Sequence, residues 1–199
     1  IFDDEACRQA SGQEILRRYY SALCDQKQGK VADNVIHKLE LLMKKAGVTV
    51  EDRSVVAAAL AKETQTGAPA AAMELPDGRI VTGKTSDVLG ACAALLLNAL
   101  KTLGGMNDRL HLISPVVLDP IKHLKVEHLG NRNPRLHTDE TLIALSICAA
   151  TNPTAELAME QLDKLRGCEV HSTVILSEVD ERTFKRLGVN LTCEPRFRG

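Results

Sequence analysis

Apolar residues along the first 66 positions recur with helical spacing. Asp3 and Asp4 stand ahead of a stripe made by Ala6, Ala10, Ile15, Tyr19 and Leu23, which predicts a first helix opened by an acidic cap. Asp33 opens a second, with Val35, Ile36, Leu39, Leu42 and Met43 expected to face inward. Lys44, Lys45 and Gly47 supply the cations and the glycine that suit a helix end. Thr49 and Asp52 have capping-box spacing for a third helix through Val55, Val56, Leu60 and Ala61, ended by Gly67.

The pattern then changes period. Residues 70–75 form a short apolar run, Pro76-Asp77-Gly78 is a turn signal, and residues 79–82 are a β-branched return strand, so a hairpin is predicted. Ser86 and Asp87 precede a run at 88–103 that is apolar almost all round, read as a helix buried between layers and ended by Gly104-Gly105. Residues 110–113 read as a strand, followed by Ser114 as cap and Pro115 at the first helical position. After an irregular polar stretch at 127–139 come helices at 140–150 and 153–165, a strand at 168–176, a helix at 180–187 closed by Gly188, and a strand at 189–193. The expected fold is α/β: a helical segment at 1–66, then a unit at 67–199 with one mixed sheet and helices on its faces.

Composition narrows the function classes. Of 199 residues, 25 are basic and 26 acidic, for a net charge of -1, so no basic excess points to nucleic acid or an anionic membrane. Aromatic residues make up 3% and Trp is absent, which removes the usual base-stacking surfaces. The longest apolar stretch, 88–97, is about half a membrane span. None of Cys7, Cys24, Cys92, Cys148, Cys168 and Cys193 forms a C-x-x-C pair, and no secretory leader pattern is seen, so buried thiols in a reducing cytoplasm are expected. The first residue is Ile1 rather than Met, and a further upstream region of the same protein is expected.

Three segments carry candidate chemistry. Gly78 to Thr85 matches G-x-x-x-x-G-K-T, but Arg79, Ile80, Val81 and Thr82 favour an extended strand, whose N–H groups alternate and cannot converge on a phosphate. A weaker reading keeps Lys84, Thr85 and Ser86 as an anion site ahead of the 88–103 helix; the plain one makes Thr85 or Ser86 a cap and Lys84 a solvated charge. The second segment, 128–140, is a long polar loop that leads into a helix start. There Asn131, Asn133 and Arg135 are candidate ligand contacts, His137 a proton carrier, and Asp139 a group to orient a histidine; a capped surface loop is the alternative. The third is His171-Ser172-Thr173 within an apolar strand, where His171 is either a second acid/base group or a satisfied core histidine.

No metal site is expected. A hairpin running into a buried helix is how cytidine-deaminase-like folds begin, but Ala94 stands where their glutamate would be and no P-C-x-x-C occurs. His123 and His128 are five apart, which does not place two ligands on one helix face.

Residues 75–87, 128–140 and 171–177 together resemble an uncharacterised bacterial family known as domain of unknown function 1846. The resemblance runs from Ile1 to Pro195. It implies the C-terminal part of a longer bacterial cytoplasmic protein whose N-terminal part carries its own glycine-rich, lysine-containing loop. It carries over no catalytic residue and leaves any cofactor open. The resulting expectation is the ligand-binding half of an enzyme acting on a small anionic metabolite, with Lys84, Arg135, His137 and His171 in one pocket. The rival expectation is a scaffold or dimerisation module that supports the N-terminal region.

Overall fold

The computed structural model describes residues 4–198, so Ile1 and the expected cap Asp3 lie outside them. Among the described residues, eight α-helices and four strands follow one another as α1 (Asp4–Lys27), α2 (Asp33–Ala46), α3 (Ser54–Thr66), β1 (Ala70–Glu74), β2 (Ile80–Lys84), α4 (Ala91–Leu103), α5 (Pro115–His123), α6 (Thr138–Ala149), α7 (Pro153–Met159), β3 (Glu169–Ser172), α8 (Glu178–Leu187) and β4 (Asn190–Cys193). The fold is α/β, as the periodicity predicted. The sheet order is β2-β1-β3-β4, with β1 antiparallel to both neighbours and β3 parallel to β4.

β1 is the hinge of the packing. Its first four residues, Ala70 to Met73, are fully buried. Side chains alternate along a strand, so Ala71 and Met73 join the large core with Leu95, Leu96 and Leu145, while Ala72 meets Val55 and Ala59 of α3 on the other face. Alanines let a helix approach closely from either side. Gly83 does the same on β2: a Cβ there would stand 2.3 Å from the Leu95 backbone nitrogen. The G-x-x-x-x-G-K-T match is therefore a hairpin, with Gly78 at φ 83° in the turn and Gly83 a contact glycine under α4.

The α3-side face of β3 and β4 is polar. In register with Ala72 stand His171 and Thr192, and in register with Glu74 stand Glu169 and Asn190. Arg53, just before α3 and 1% exposed, plugs this face. Its guanidinium donates to Thr192 Oγ1, Gln13 Oε1, Glu169 Oε2 and the carbonyls of Val170 and Asn190. Arg17 of α1 donates to the other Glu169 oxygen at 2.7 Å. One buried network thus joins α1 and the start of α3 to the sheet, and its donors are satisfied, which a buried cation requires.

Several expectations need correction. Residues 110–113 are not a strand: Leu112 and Ile113 are buried in the main core without joining the sheet. The Thr49–Asp52 box caps a 3-10 turn (Val50–Asp52), and α3 begins after it. The expected helix at 153–165 breaks after Met159 into a turn and a 3-10 segment (Leu162–Leu165). Helix α4 starts at Ala91, not Val88, because Ser86 Oγ accepts from the Val88 and Leu89 amides and closes a separate turn. Lys84, Thr85 and Ser86 therefore do not stand at the α4 start. With eight buried residues, α4 is still the most buried helix among the described residues.

Candidate functional site

Because β1 runs against both β2 and β3, strands β2, β3 and β4 point the same way and end at one edge of the sheet. That edge is where open α/β sheets collect ligand crevices. A cavity of about 450 Å³ lies there. It is lined by the α4 start (residues 90–93), the α6 start at His137, the β3–α8 connection (174–177), Asp180, and Phe197 and Arg198 beyond β4.

Local chemistry carries His137 to this edge. Leu136 N donates to Val88 O and Gly90 N to Leu136 O, a single bridge that sews the 128–137 loop to the start of α4. His137 then caps α6, its amide donating to Glu140 Oε2 at 2.8 Å. The same oxygen accepts from Lys125 Nζ at 2.7 Å, and Lys125 also donates to Arg135 O. Lys125 is buried and sits in a π-helical turn (Leu124–His128), so a fixed cation anchors the whole loop from beneath.

The His137 ring is held by Asp180. Nδ1 lies 3.1 Å from Asp180 Oδ2, while Oδ1 accepts from the Thr138 amide at 2.9 Å and the Thr138 hydroxyl at 2.8 Å. Ser177 Oγ donates to Oδ2 at 2.9 Å. Burial works to raise the Asp180 carboxyl, but the hydrogen bonds from His137 and Thr138 outweigh it and hold the group below its ordinary value. The Asp180 hydrogen bond raises His137, against a smaller opposing effect of burial. Nε2 of His137 has no hydrogen-bond partner among the described residues.

Two sources of positive potential face the cavity beside the Asp180 carboxylate. Gly90 offers no side-chain cap, so the first amides of α4, which point out along the helix axis, have no cap acceptor at a buried start. Arg198 adds a guanidinium, with Nη2 donating to Thr85 Oγ1 at 3.0 Å. Burial pulls Arg198 below its ordinary value, and the neighbouring Arg135 adds to the effect. Nucleophiles are poorly served. Burial pushes the Cys92 thiol well up, and Ser177 approaches His137 through Nδ1, the nitrogen already engaged by Asp180. No group of three or more His, Cys, Asp or Glu able to hold a metal ion occurs among the described residues.

Of the residues singled out in the sequence, His137 and Asn133 line the cavity. Asn133 Oδ1 also accepts from the Arg135 amide, and Arg135 Nε donates to Ser86 O at 2.6 Å, so Arg135 ties two loops together at the rim. Asn131 is exposed, its amide bonded to Lys125 O. Thr85 serves Arg198 and Ser86 closes its turn. Lys84 is exposed on β2, opposite Ala70 and so on the α3 side of the sheet. Asp139 accepts from the Glu140 amide; the carboxylate that holds a histidine is Asp180. His171 is 0% exposed on the polar face, with Nδ1 2.8 Å from Thr192 Oγ1, Nε2 3.1 Å from Glu194 Oε1 and its ring edge-on to Tyr20. The structure therefore does not bring Lys84 and His171 to the cavity that holds His137.

Sequence reasoning missed Asp180, Ser177 and Arg198. The only signal for the first two is Ser177-x-x-Asp180, which reads as a helix cap and is one, since Ser177 Oγ accepts from the Asp180 amide. Nothing near Arg198 in the sequence marks it.

Comparisons with known proteins place the chain in a family. The family described as domain of unknown function DUF1846, C-terminal, matches residues 51–199, and the DUF1846 N-terminal description matches residues 1–47. A UPF0371 protein of Corynebacterium efficiens is 56% identical over 197 residues, covering 99% of this chain and 40% of the relative. UPF0371 proteins of Corynebacterium glutamicum and Streptococcus thermophilus are 54% and 52% identical with the same coverage. The chain thus spans about two-fifths of the length of the curated relatives it matches. By the extent of that match, this chain belongs to the DUF1846 family.

Proposed function

We propose that the strand-end cavity binds a small anionic metabolite, and that this chain is the ligand-binding part of a cytoplasmic enzyme acting on it. The observation that carries the reading is a half-buried histidine, oriented by a carboxylate with three further donors, beside a buried helix start that has no side-chain cap. In this reading the α4 amides and Arg198 hold the anion, and Asn133 contacts it from the rim. His137 moves a proton through Nε2 while Asp180 fixes its ring and stabilises its charged form. The free cysteines among the described residues fit a reducing compartment. No helix among the described residues is long and apolar enough to cross a membrane.

A thermal-shift series with inorganic phosphate, a phosphate monoester and a dicarboxylate tests the binding half of the reading. Ligand at ten times its Kd stabilises by about 1.4 kcal/mol, or about 3–6 °C in Tm for a chain of this size. At least one probe is expected to give a shift that shrinks with added KCl and is lost in Arg198→Ala, a substitution at an exposed position. No shift with any probe, or a shift that Arg198→Ala leaves intact, overturns the reading.

A further inference from the structure

Helix α2 carries a five-residue apolar stripe, yet Ile36 is its one buried residue. Val35 is 38% exposed and Leu42 43%. The open side of the stripe forms a groove of about 480 Å³ with α1, lined by Val35, Leu39 and Leu42 on one helix and Arg18, Ala22 and Asp25 on the other. Residues 35, 39 and 42 recur at i, i+4 and i+7, the ridge that a further helix packs against. Two helices alone cannot cover such a ridge.

The family assignment bears on what covers it. The match to the DUF1846 N-terminal domain ends at residue 47, which is Gly47, the residue that caps α2; the C-terminal match begins at 51. The α1–α2 hairpin is therefore the part of the N-terminal domain that this chain contains. A match of this length is short for an independent domain, and a helical pair buries too little surface to stand alone. The matched stretch is 40% of the Corynebacterium efficiens relative, which leaves the larger share of that protein to supply the rest of the domain.

We infer that the groove between α1 and α2 is the seat of the remaining N-terminal domain of the longer protein, which lays an amphipathic helix across Val35, Leu39 and Leu42. The hairpin belongs to that domain by sequence, while α1 is tied to the sheet through Arg17 and Glu169. It is thus the joint through which the two parts of the protein are held in fixed relation. This inference is independent of the anion reading, since the groove contains none of the residues of the strand-end cavity.

Carbene footprinting of the α2 segment, in this chain and in the full-length Corynebacterium efficiens relative, tests it. The expected result is strong labelling over Val35, Leu39 and Leu42 in this chain, and several-fold weaker labelling of the matching segment in the relative. Equal labelling in the two proteins overturns the inference. So does a concentration-dependent dimer of this chain, seen by sedimentation, in which α2 is already protected, because the occupant would then be a second copy.

Discussion

Two histidines each stand 3.1 Å from a carboxylate oxygen, His171 from Glu194 on the polar sheet face and His137 from Asp180 at the strand-end cavity. At equal separation the pairing itself cannot tell them apart. Their protonation nevertheless moves in opposite directions. Burial drives His171 below its ordinary value, and the Glu194 hydrogen bond does not offset it. At His137 the Asp180 hydrogen bond outweighs burial and the value rises. The His171 side chain is 0% exposed and that of His137 is 27% exposed. A carboxylate beside a histidine thus does not by itself mark a titrating site; access to water decides what the pair does. His171 is sealed within the polar face, whereas the His137 ring at the strand-end edge reaches solvent.

The largest effect that probes this contrast comes from the sealed side. Arg53→Ala leaves Glu169 without its buried partner and is expected to cost about 3–5 kcal/mol, a large share of total stability. Urea unfolding should show a much lower midpoint or no cooperative transition. A loss below about 1 kcal/mol, the range of exposed pairs, would mean the polar face is wetter than described.

The histidines themselves come next. His171→Gln strands buried partners and should cost about 1–3 kcal/mol, whereas His137→Gln, on a partly exposed group, should cost about 1 kcal/mol or less. Their pH signatures differ in sign. The folded value of His171 lies below 6.5, so as pH falls past 6.5 only the unfolded chain takes up the proton. The stability it contributes is whole above 6.5 and declines toward acid. The folded value of His137 lies above 6.5, so its contribution is whole below 6.5 and is lost as pH rises through the folded value. Urea midpoints of the two variants and the parent, measured from about pH 5 to 8 where histidine titrates, should diverge from the parent in opposite directions. Parallel curves would break the contrast.

Much of the frame was legible in the sequence because it rests on local chemistry. The hairpin follows from Pro76-Asp77-Gly78 between β-prone runs, and the end of α8 from Gly188. The start of α4 was not legible, since the apolar run at 88–90 looks helical until Leu89 finds a bridge partner at Leu136. That same non-local bridge brings His137 to the cavity, so the site was only partly legible. His137 and Asn133 could be singled out from a polar loop, but Asp180 and Arg198 arrive from 43 and 61 positions beyond His137 along the chain. Asp180 is hidden for a second reason: an acid three residues after a serine at a helix start already has a sufficient explanation as a cap. His171 looked like half of a site because a polar residue in a buried strand needs a partner, and sequence cannot show that Thr192, Glu194 and Tyr20 supply it.

The measurement closest to the central claim is an NMR titration of the histidine ring resonances, with His137→Gln and His171→Gln assigning the two signals among six histidines. The account predicts that His137 titrates above 6.5, and that His171 titrates below it or stays neutral until the chain unfolds. A His171 signal that titrates above 6.5, or a His137 signal that titrates below it, would contradict the separation of a sealed histidine from a solvent-accessible one.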